Sequence, residues 1–260
     1  MARIAFGSCA NQNAPQPIWD AVLAYRPEVF LFVGDNVYGD GPSPELAELR
    51  AAYAKARTLD GFNRLRRQVR HLAIWDDHDY GLNDGGAEFA QKQQAKELFL
   101  DFWNVSPGDP RRAREGLYIS TMLGPPGQRI QVILLDMRSF RSPLKRTDQR
   151  GAAGRERYLP DADPAKTMLG AAQWQWLAER LREPAELRLI VSSVQVVAEG
   201  HGWERWGNLP LERQRLYDLI AETRAAGVVF LSGDRHLAAL YRESAGVRSE
   251  EHTSELQSRL

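Results

Sequence analysis

Residues 29–38 read VFLFVGDNVY, an apolar run followed at once by a polar turn. The first five of these residues do not alternate with polar ones. Such a run is typical of a strand that is buried on both faces, as in a parallel sheet. The polar side chains that follow, Asp35 and Tyr38 among them, are therefore expected at the carboxyl end of a buried strand.

Other segments of the chain show the same alternation of strand and helix patterns. Apolar runs predict strands at residues 4–6, 71–75, 130–135, 187–194 and 228–231, with 117–119 joined to 130–135 as a hairpin across the turn at 124–127. Helical spacing predicts helices at 17–25, 45–57, 88–103, 171–182 and 211–224. Residues 139–164, rich in Arg, Gly, Asp and Pro, predict a long loop. The alternation favours one α/β domain.

Composition excludes several classes of protein. The 260 residues include 34 basic and 34 acidic side chains, so the formal net charge is zero. This balance argues against broad electrostatic binding to nucleic acid or an anionic membrane, and no nucleic-acid-binding module is evident. The sequence contains no run of about 18 apolar residues, so it predicts no transmembrane segment. Cys9 is the only cysteine, which excludes an intrachain disulfide, and no signal peptide is recognisable, so the localisation stays open.

Five predicted strands are each followed by side chains that can bind a ligand. These segments are Gly7–Cys9, Gly34–Tyr38, Asp76–Asp79, Ser192–Gln195 and Ser232–His236. Ligands of open α/β sheets bind beyond the carboxyl ends of the strands, so we expect these side chains to meet. Converging carboxylates repel one another unless a cation neutralises them. The pattern therefore predicts a metal site.

The donor types divide into two sets. One set suits a hard divalent cation such as Ca²⁺, Mg²⁺ or Mn²⁺: Asp35, Asp234, and either Asp76 or Asp77. Cys9 and Tyr38 supply strongly donating anions, which favour a ferric or other transition metal. With Asp35 as the bridge, two unlike metals would form the clamp used for in-line displacement at phosphorus by an activated hydroxide. His78 would then protonate the leaving oxygen.

Each of these residues also has a simpler interpretation. A lone cysteine after a strand is often a small buried side chain, and Gly-Asp is a common turn. The segment Asp76–Asp79 can cap the following helix. His201 either packs within the loop at 200–210 or contacts the substrate, in which case that loop shapes the choice of substrate. A metal site accounts for all five strand ends together, and we prefer it for that reason.

Four motifs resemble, in order, those of the alkaline phosphatase D (PhoD-like) metallophosphatases. They read FGSC at 6–9, GDNVY at 34–38, WDDHD at 75–79 and SGDRH at 232–236, and the resemblance extends from about residue 3 to residue 243. It implies the calcineurin-like metallophosphoesterase fold, an α/β sandwich with four layers in the order α-β-β-α. It also implies hydrolysis of phosphate-ester substrates, either monoesters or diesters. A second option keeps the fold but changes the substrate, for instance to phospholipid or wall-polymer diesters.

The resemblance further implies a site that holds Fe³⁺ and Ca²⁺, with Mn²⁺, Mg²⁺ or Zn²⁺ as alternatives. The residues implied for iron are Cys9, Asp35, Tyr38 and His236. Those implied for calcium are Asp35, Asp77 and Asp234, with Asp76 as a ligand or support and Gln195 nearby. His78 and Arg138 would contact phosphate or donate a proton, and His201 is a further candidate for the catalytic site. The family is commonly periplasmic or extracellular.

The end of the chain stands apart from these motifs. Residues 248–258 read RSEEHTSELQS, which resembles a translated sequencing adapter. The segment is polar and has almost no apolar periodicity, so we expect a disordered tail at 248–260 beyond an incomplete domain at 1–247. A domain that lacks its closing strands would expose a sheet edge. The alternative function is then a truncated fragment that binds metal or phosphate without turnover.

Overall fold

The structure is a computed structural model that describes residues 3–243 and 253–257. Its strands form two sheets. Strands β1 (Ile4–Gly7), β2 (Val29–Val33) and β3 (Arg70–Ile74) make a parallel sheet in that order. A mixed sheet has the order β4-β5-β6-β7-β9-β8 and contains β4 (Ile119–Leu123), β5 (Ile130–Leu134), β6 (Leu187–Val191), β7 (Val228–Leu231), β8 (Ala239–Glu243) and β9 (Thr253–Gln257).

The helices lie between these strands in sequence. They are α1 (Ile18–Tyr25), α2 (Ala47–Ala56), α3 (Asp60–Gln68), α4 (Asp77–Tyr80), α5 (Lys92–Phe102), α6 (Pro110–Ala113), α7 (Gly170–Leu181) and α8 (Pro210–Glu222). A short 3-10 helix spans Trp206–Asn208. None of the helices in the described part of the chain combines the length and the apolar character that a membrane crossing requires.

The mixed sheet is covered by apolar side chains on both faces. On β5, Val132 and Leu134 pack in the core that includes the parallel sheet, whereas Ile133 packs with α7 and α8 in a second core. On the other side of the parallel sheet, the Phe32 ring lies 6.1 Å from the Trp19 ring of α1 and 5.5 Å from the Phe62 ring of α3. The layers are therefore helices, parallel sheet, mixed sheet and helices, which confirms the predicted four-layer sandwich.

Most predicted elements are present, with bounds that differ by a few residues. The predicted hairpin is formed by β4 and β5, but β4 spans Ile119–Leu123 because residues 117–118 precede the ladder. Helices α3 and α6 and strand β8 were not among the predicted elements, and the four residues of α6 are too few to show a helical period. The stretch 139–164, all of which is described, holds no helix or named strand, only a bridge between Arg146 and Tyr158.

The structure differs from the disordered tail that the sequence predicts. Residues Thr253–Gln257 form β9, which pairs parallel with β7 and antiparallel with β8. Strand pairing uses backbone N–H and C=O groups, so a polar composition does not exclude it. Consequently β7 is not the sheet edge, a position that β8 takes instead. Residues 244–252 and 258–260 lie outside the described part, and the origin of the segment and the domain bounds stay predictions.

Two glycines allow the carboxyl ends of the sheets to approach each other. A Cβ atom on Gly34 would lie 2.7 Å from Cβ of Asp76 and 2.9 Å from Cβ of Ser193, which follows β6. A Cβ atom on Gly233, after β7, would lie 2.7 Å from Cβ of Ser8. Real Cβ atoms do not come this close, so only glycine fits at both positions. The same strand ends carry the predicted ligands.

We predict that Gly34→Ala lowers the free energy of unfolding by about 3 kcal/mol or more. The left-handed φ of +105° contributes about 1 kcal/mol, and overpacking against Asp76 and Ser193 contributes the rest. The matched control is Gly127→Ala, where φ is +83° but no atom lies within 4 Å of the new Cβ. It should cost only about 1 kcal/mol. Equal losses in urea unfolding would contradict the close approach of the two sheets.

Candidate metal centre

One group of predicted ligands lies where β1, β2 and β7 end. Ligand atoms of Cys9, Asp35 and His236 all lie within 4.8 Å of one another. The Cys9 thiol is 3.6 Å from Oδ2 of Asp35, and the Tyr38 hydroxyl is 2.8 Å from Nε2 of His236. The structure thus brings together the four residues that the resemblance implies for iron.

Asp35 also belongs to two further groups. Carboxylate oxygens of Asp35, Asp76 and Asp234 lie within 4.8 Å of one another, and so do ligand atoms of Asp35, Asp77 and His78. Asp35 is common to all three groups and therefore has the position of a bridging ligand. Asp35 is buried, whereas His236 is exposed, so the site opens to solvent on the side of His236.

The backbone at four of these residues is left-handed. The φ angle is 60° at Cys9, 51° at Asp35, 65° at Asp234 and 51° at His236. Non-glycine residues rarely adopt such angles, and they persist only where the surroundings hold them, as the 2.8 Å hydrogen bond from the Ala10 N–H to the Asp35 carbonyl does here. Four of the nine non-glycine residues with a positive φ in the described part of the chain therefore lie at this site, which supports a functional role for it.

The electrostatics of the pocket disfavour these anions in the absence of a cation. Burial raises the pKa of Asp35 well above its usual value, and the Asp77 carboxylate raises it further. Burial also raises the pKa of Asp234, with Asp76 adding to the effect. Burial raises the pKa of the Cys9 thiol to about 12. A bound cation would oppose each of these shifts because it stabilises the charged form.

Two buried oxygens in the pocket lack hydrogen-bond partners. They are Oδ2 of Asp76 and Oδ2 of Asp234, neither of which meets a donor among the described residues. Buried carboxylate oxygens are normally hydrogen-bonded or coordinated to a metal. Together with the thiol, phenol and imidazole donors, these orphaned oxygens show that the side chains present fit metal ions.

Arg138 is completely buried and contacts carboxylates, which differs from the predicted contact with phosphate. Its Nη2 atom is 2.5 Å from Oδ1 of Asp76 and 3.8 Å from Oδ1 of Asp77, and its Nη1 atom is 2.8 Å from Oε2 of Glu204. Burial alone would raise the pKa of Asp77, but Arg138, His78 and the N–H of Asp84 lower it overall. This location favours a role as the internal counterion of the acidic cluster.

His78 lies on the accessible side of the site. Its Nδ1 atom is 2.5 Å from Oδ1 of Asp40, and its ring lies 4.3 Å from the Tyr38 ring. Burial would lower the pKa of His78, but Asp40 and the nearby Asp77 raise it to about 9. The contact with Asp40 favours the protonated form of His78, which an acid catalyst requires.

Gln195 and His201 contact each other. Nε2 of His201 is 2.9 Å from Oε1 of Gln195, and Gln195 is buried. Burial, together with the charge of Arg235, lowers the pKa of His201 to about 4. His201 is not in any group of possible ligands among the described residues. The roles predicted for this pair, near the second metal and in contact with substrate, stay predictions.

Three supporting residues make contacts that the sequence analysis did not assign. Asp79 accepts hydrogen bonds from the N–H of Asp76 at 2.5 Å and from the amide of Asn36 at 2.5 Å, so it ties the loop after β2 to the loop after β3. The spacing of Asp76 and Asp79 before a helix offered a signal for this contact. Asp40 and Glu204 offered none, because their partners are distant in the sequence.

The chain is similar to a known protein family in sequence and to solved structures in fold. The family model of the PhoD-like phosphatase matches residues 4–258. The solved structure of PhoD is similar with a TM-score of 0.75 at 17% identity, covering 99% of this chain and 56% of that one. GAP50, the anchor in the inner membrane complex of Plasmodium, is similar with a TM-score of 0.52 at 8% identity, covering 99% of this chain and 71% of that one.

These matches define the fold and the family, but not the substrate. The chain spans little more than half of the length of the PhoD structure that it matches. At 17% and 8% identity, the two solved structures show a shared fold alone. No curated protein sequence matches the chain.

We predict that Arg138→Met lowers the free energy of unfolding by about 3–5 kcal/mol, because it leaves Asp76 and Glu204 buried without their counterion. The control is Arg64→Met, since Arg64 also pairs with two carboxylates, Asp20 and Asp60, but on the surface. It should have little effect. Urea unfolding of the metal-free proteins measures both, and similar small losses would contradict the counterion role.

Proposed function

This chain belongs to the PhoD-like phosphatase family, and we propose on that premise that it hydrolyses phosphomonoesters, phosphodiesters or both with two bound cations. The observation that carries the proposal is the position of Asp35, whose carboxylate is shared between the group with Cys9 and His236 and the group with Asp76 and Asp234. One carboxylate between two metals is the arrangement expected for in-line displacement at phosphorus.

The donor chemistry supports two unlike cations. Cys9, Tyr38 and His236 would hold Fe³⁺, because thiolate, phenolate and imidazole favour transition metals. The oxygens of Asp76, Asp77 and Asp234 would hold Ca²⁺, which prefers oxygen ligands. These six residues with Asp35 also suit Mn²⁺, Mg²⁺ or Zn²⁺ in one or both positions. When bound, the cations would neutralise phosphoryl oxygens and lower the pKa of a water molecule.

The protein's own side chains would perform the remaining tasks. His78, protonated through its contact with Asp40, would donate a proton to the oxygen of the departing alcohol. The His78 ring lies against the Tyr38 ring, and this contact restricts the orientation of the imidazole that would donate the proton. Arg138 would keep Asp76 ionised and in place without touching the substrate.

We predict that the metal-free protein, supplied with iron and calcium, hydrolyses para-nitrophenyl phosphate or bis-para-nitrophenyl phosphate. Asp35→Asn should lower kcat/KM by more than about 100-fold, a loss greater than that for residues that only support ligands. It should also lower the metal content measured by plasma emission. The matched control is Asp218→Asn, an exposed carboxylate on α8, which should change neither value.

The outcomes of this experiment separate the possible functions. Near-normal turnover by Asp35→Asn would overturn the assignment of the site. Metal bound by the parent protein without hydrolysis of either ester would support the alternative function, a fragment that binds metal or phosphate only. The ratio of monoester to diester hydrolysis would define the substrate class.

A second prediction concerns the identity of the metal. The iron-loaded protein should be coloured by charge transfer from the Tyr38 phenolate, and Tyr38→Phe should abolish the visible band. Tyr25→Phe, at a tyrosine that is 56% exposed, serves as the control and should keep the band. An active, iron-loaded protein without this band would shift the assignment to manganese or zinc.

A further inference from the structure

We propose that a pocket beside Asp77 binds a second phosphoryl group, so that the preferred substrates carry two phosphoryl groups joined by a short linker. The inference rests on the proposed function, because it concerns the part of the substrate next to the hydrolysed ester. The pocket has a volume of about 270 Å³, and we call it the arginine pocket. Its lining includes Asn83, Asp84, Arg146, Arg150, Arg157 and Tyr158.

The arginine pocket shares a wall with the metal centre. The side chain of Asn83 donates a hydrogen bond to Oδ2 of Asp77 at 3.2 Å, and the N–H of Asp84 donates to the same oxygen at 2.8 Å. Asp77 in turn belongs to a ligand group with Asp35. Asn83 and Asp84 therefore line the pocket and also contact Asp77 at the metal centre, so a linker that spans these two residues would connect the two sites.

The charge of the pocket favours an anion. Its one carboxylate, Asp84, already has partners: Nη1 of Arg157 is 2.5 Å and the hydroxyl of Tyr158 is 2.9 Å from its Oδ2 atom. Arg146 and Arg150 are exposed, and neither makes an ion pair or side-chain hydrogen bond among the residues whose side chains are described. One guanidinium group can donate two parallel hydrogen bonds to phosphate oxygens. Two unengaged arginines at one pocket therefore suit the binding of a phosphoryl group.

Backbone contacts hold the segment with Arg146 in place before any ligand binds. The segment with Arg146 runs antiparallel to the segment with Tyr158, through a bridge between the two residues. The N–H of Thr147 donates to the carbonyl of Arg157 at 2.9 Å, and the N–H of Tyr158 donates to the carbonyl of Gly202 at 2.7 Å. The backbone near Arg146 and Tyr158 is thus ordered, which reduces the part of the entropy cost of binding that comes from ordering the loop.

The test compares two substrates and two double variants of the metal-loaded protein. Phosphate release is measured from alkanediol bisphosphates of increasing chain length and from alkyl monophosphates of equal length. At the best length, we expect kcat/KM for the bisphosphate to exceed that for the monophosphate by about tenfold, as charge-assisted contacts allow. Arg146→Gln with Arg150→Gln should reduce this ratio to about two, the statistical value for a substrate with two equivalent ends. The control, Arg67→Gln with Arg182→Gln, removes the same charge from outer helices and should keep the ratio.

A binding measurement makes the test independent of turnover. Affinities of alkane bisphosphonates and alkylphosphonates, which are not hydrolysed, are measured by calorimetry. The parent protein should prefer the bisphosphonate by about tenfold, and the pocket variant should not. Equal affinities in the parent protein, or a preference that survives in the pocket variant, would overturn the inference. Absence of turnover with a preserved bisphosphonate preference would instead count against the proposed function alone.

Discussion

The repulsion between buried anions is the constraint on which the site depends. Asp35, Asp76 and Asp77 are buried together, and water cannot screen their charges there. Arg138 compensates part of this charge from inside the protein. One carboxylate oxygen of Asp76 and one of Asp234 have no hydrogen-bond partner among the described residues, and bound cations would neutralise their charge. Fold and chemistry are thus coupled through electrostatics.

The fold meets this constraint by precise placement of loops. The parallel order of β1, β2 and β3 puts three loops at one edge, and the mixed sheet brings two more. Gly34 and Gly233 let the two edges approach, and Asp79 ties the loops after β2 and β3 together. Such bracing keeps ligand atoms within a few ångströms of one another without a large conformational change on binding.

The sequence predicts the parts of this arrangement that have a local signal. The buried run at 29–33 and the motifs at 6–9, 34–38 and 232–236 were sufficient to predict that Cys9, Asp35 and His236 meet. The contacts of Arg138 with Glu204 and of His78 with Asp40 were missed, because they join residues that are distant in the sequence. Strand β9 was missed because backbone pairing needs no apolar side chain.

The left-handed backbone at Cys9, Asp35, Asp234 and His236 has a consequence for the evolution of this site. Asp, Asn and Gly enter that conformation most easily, whereas β-branched residues enter it at high cost. A threonine or valine at these positions would strain the backbone, in addition to replacing the metal-binding side chain. Substitution at these positions is therefore restricted to a few residue types. A lineage that lost catalysis would still be under this backbone restriction at the four positions.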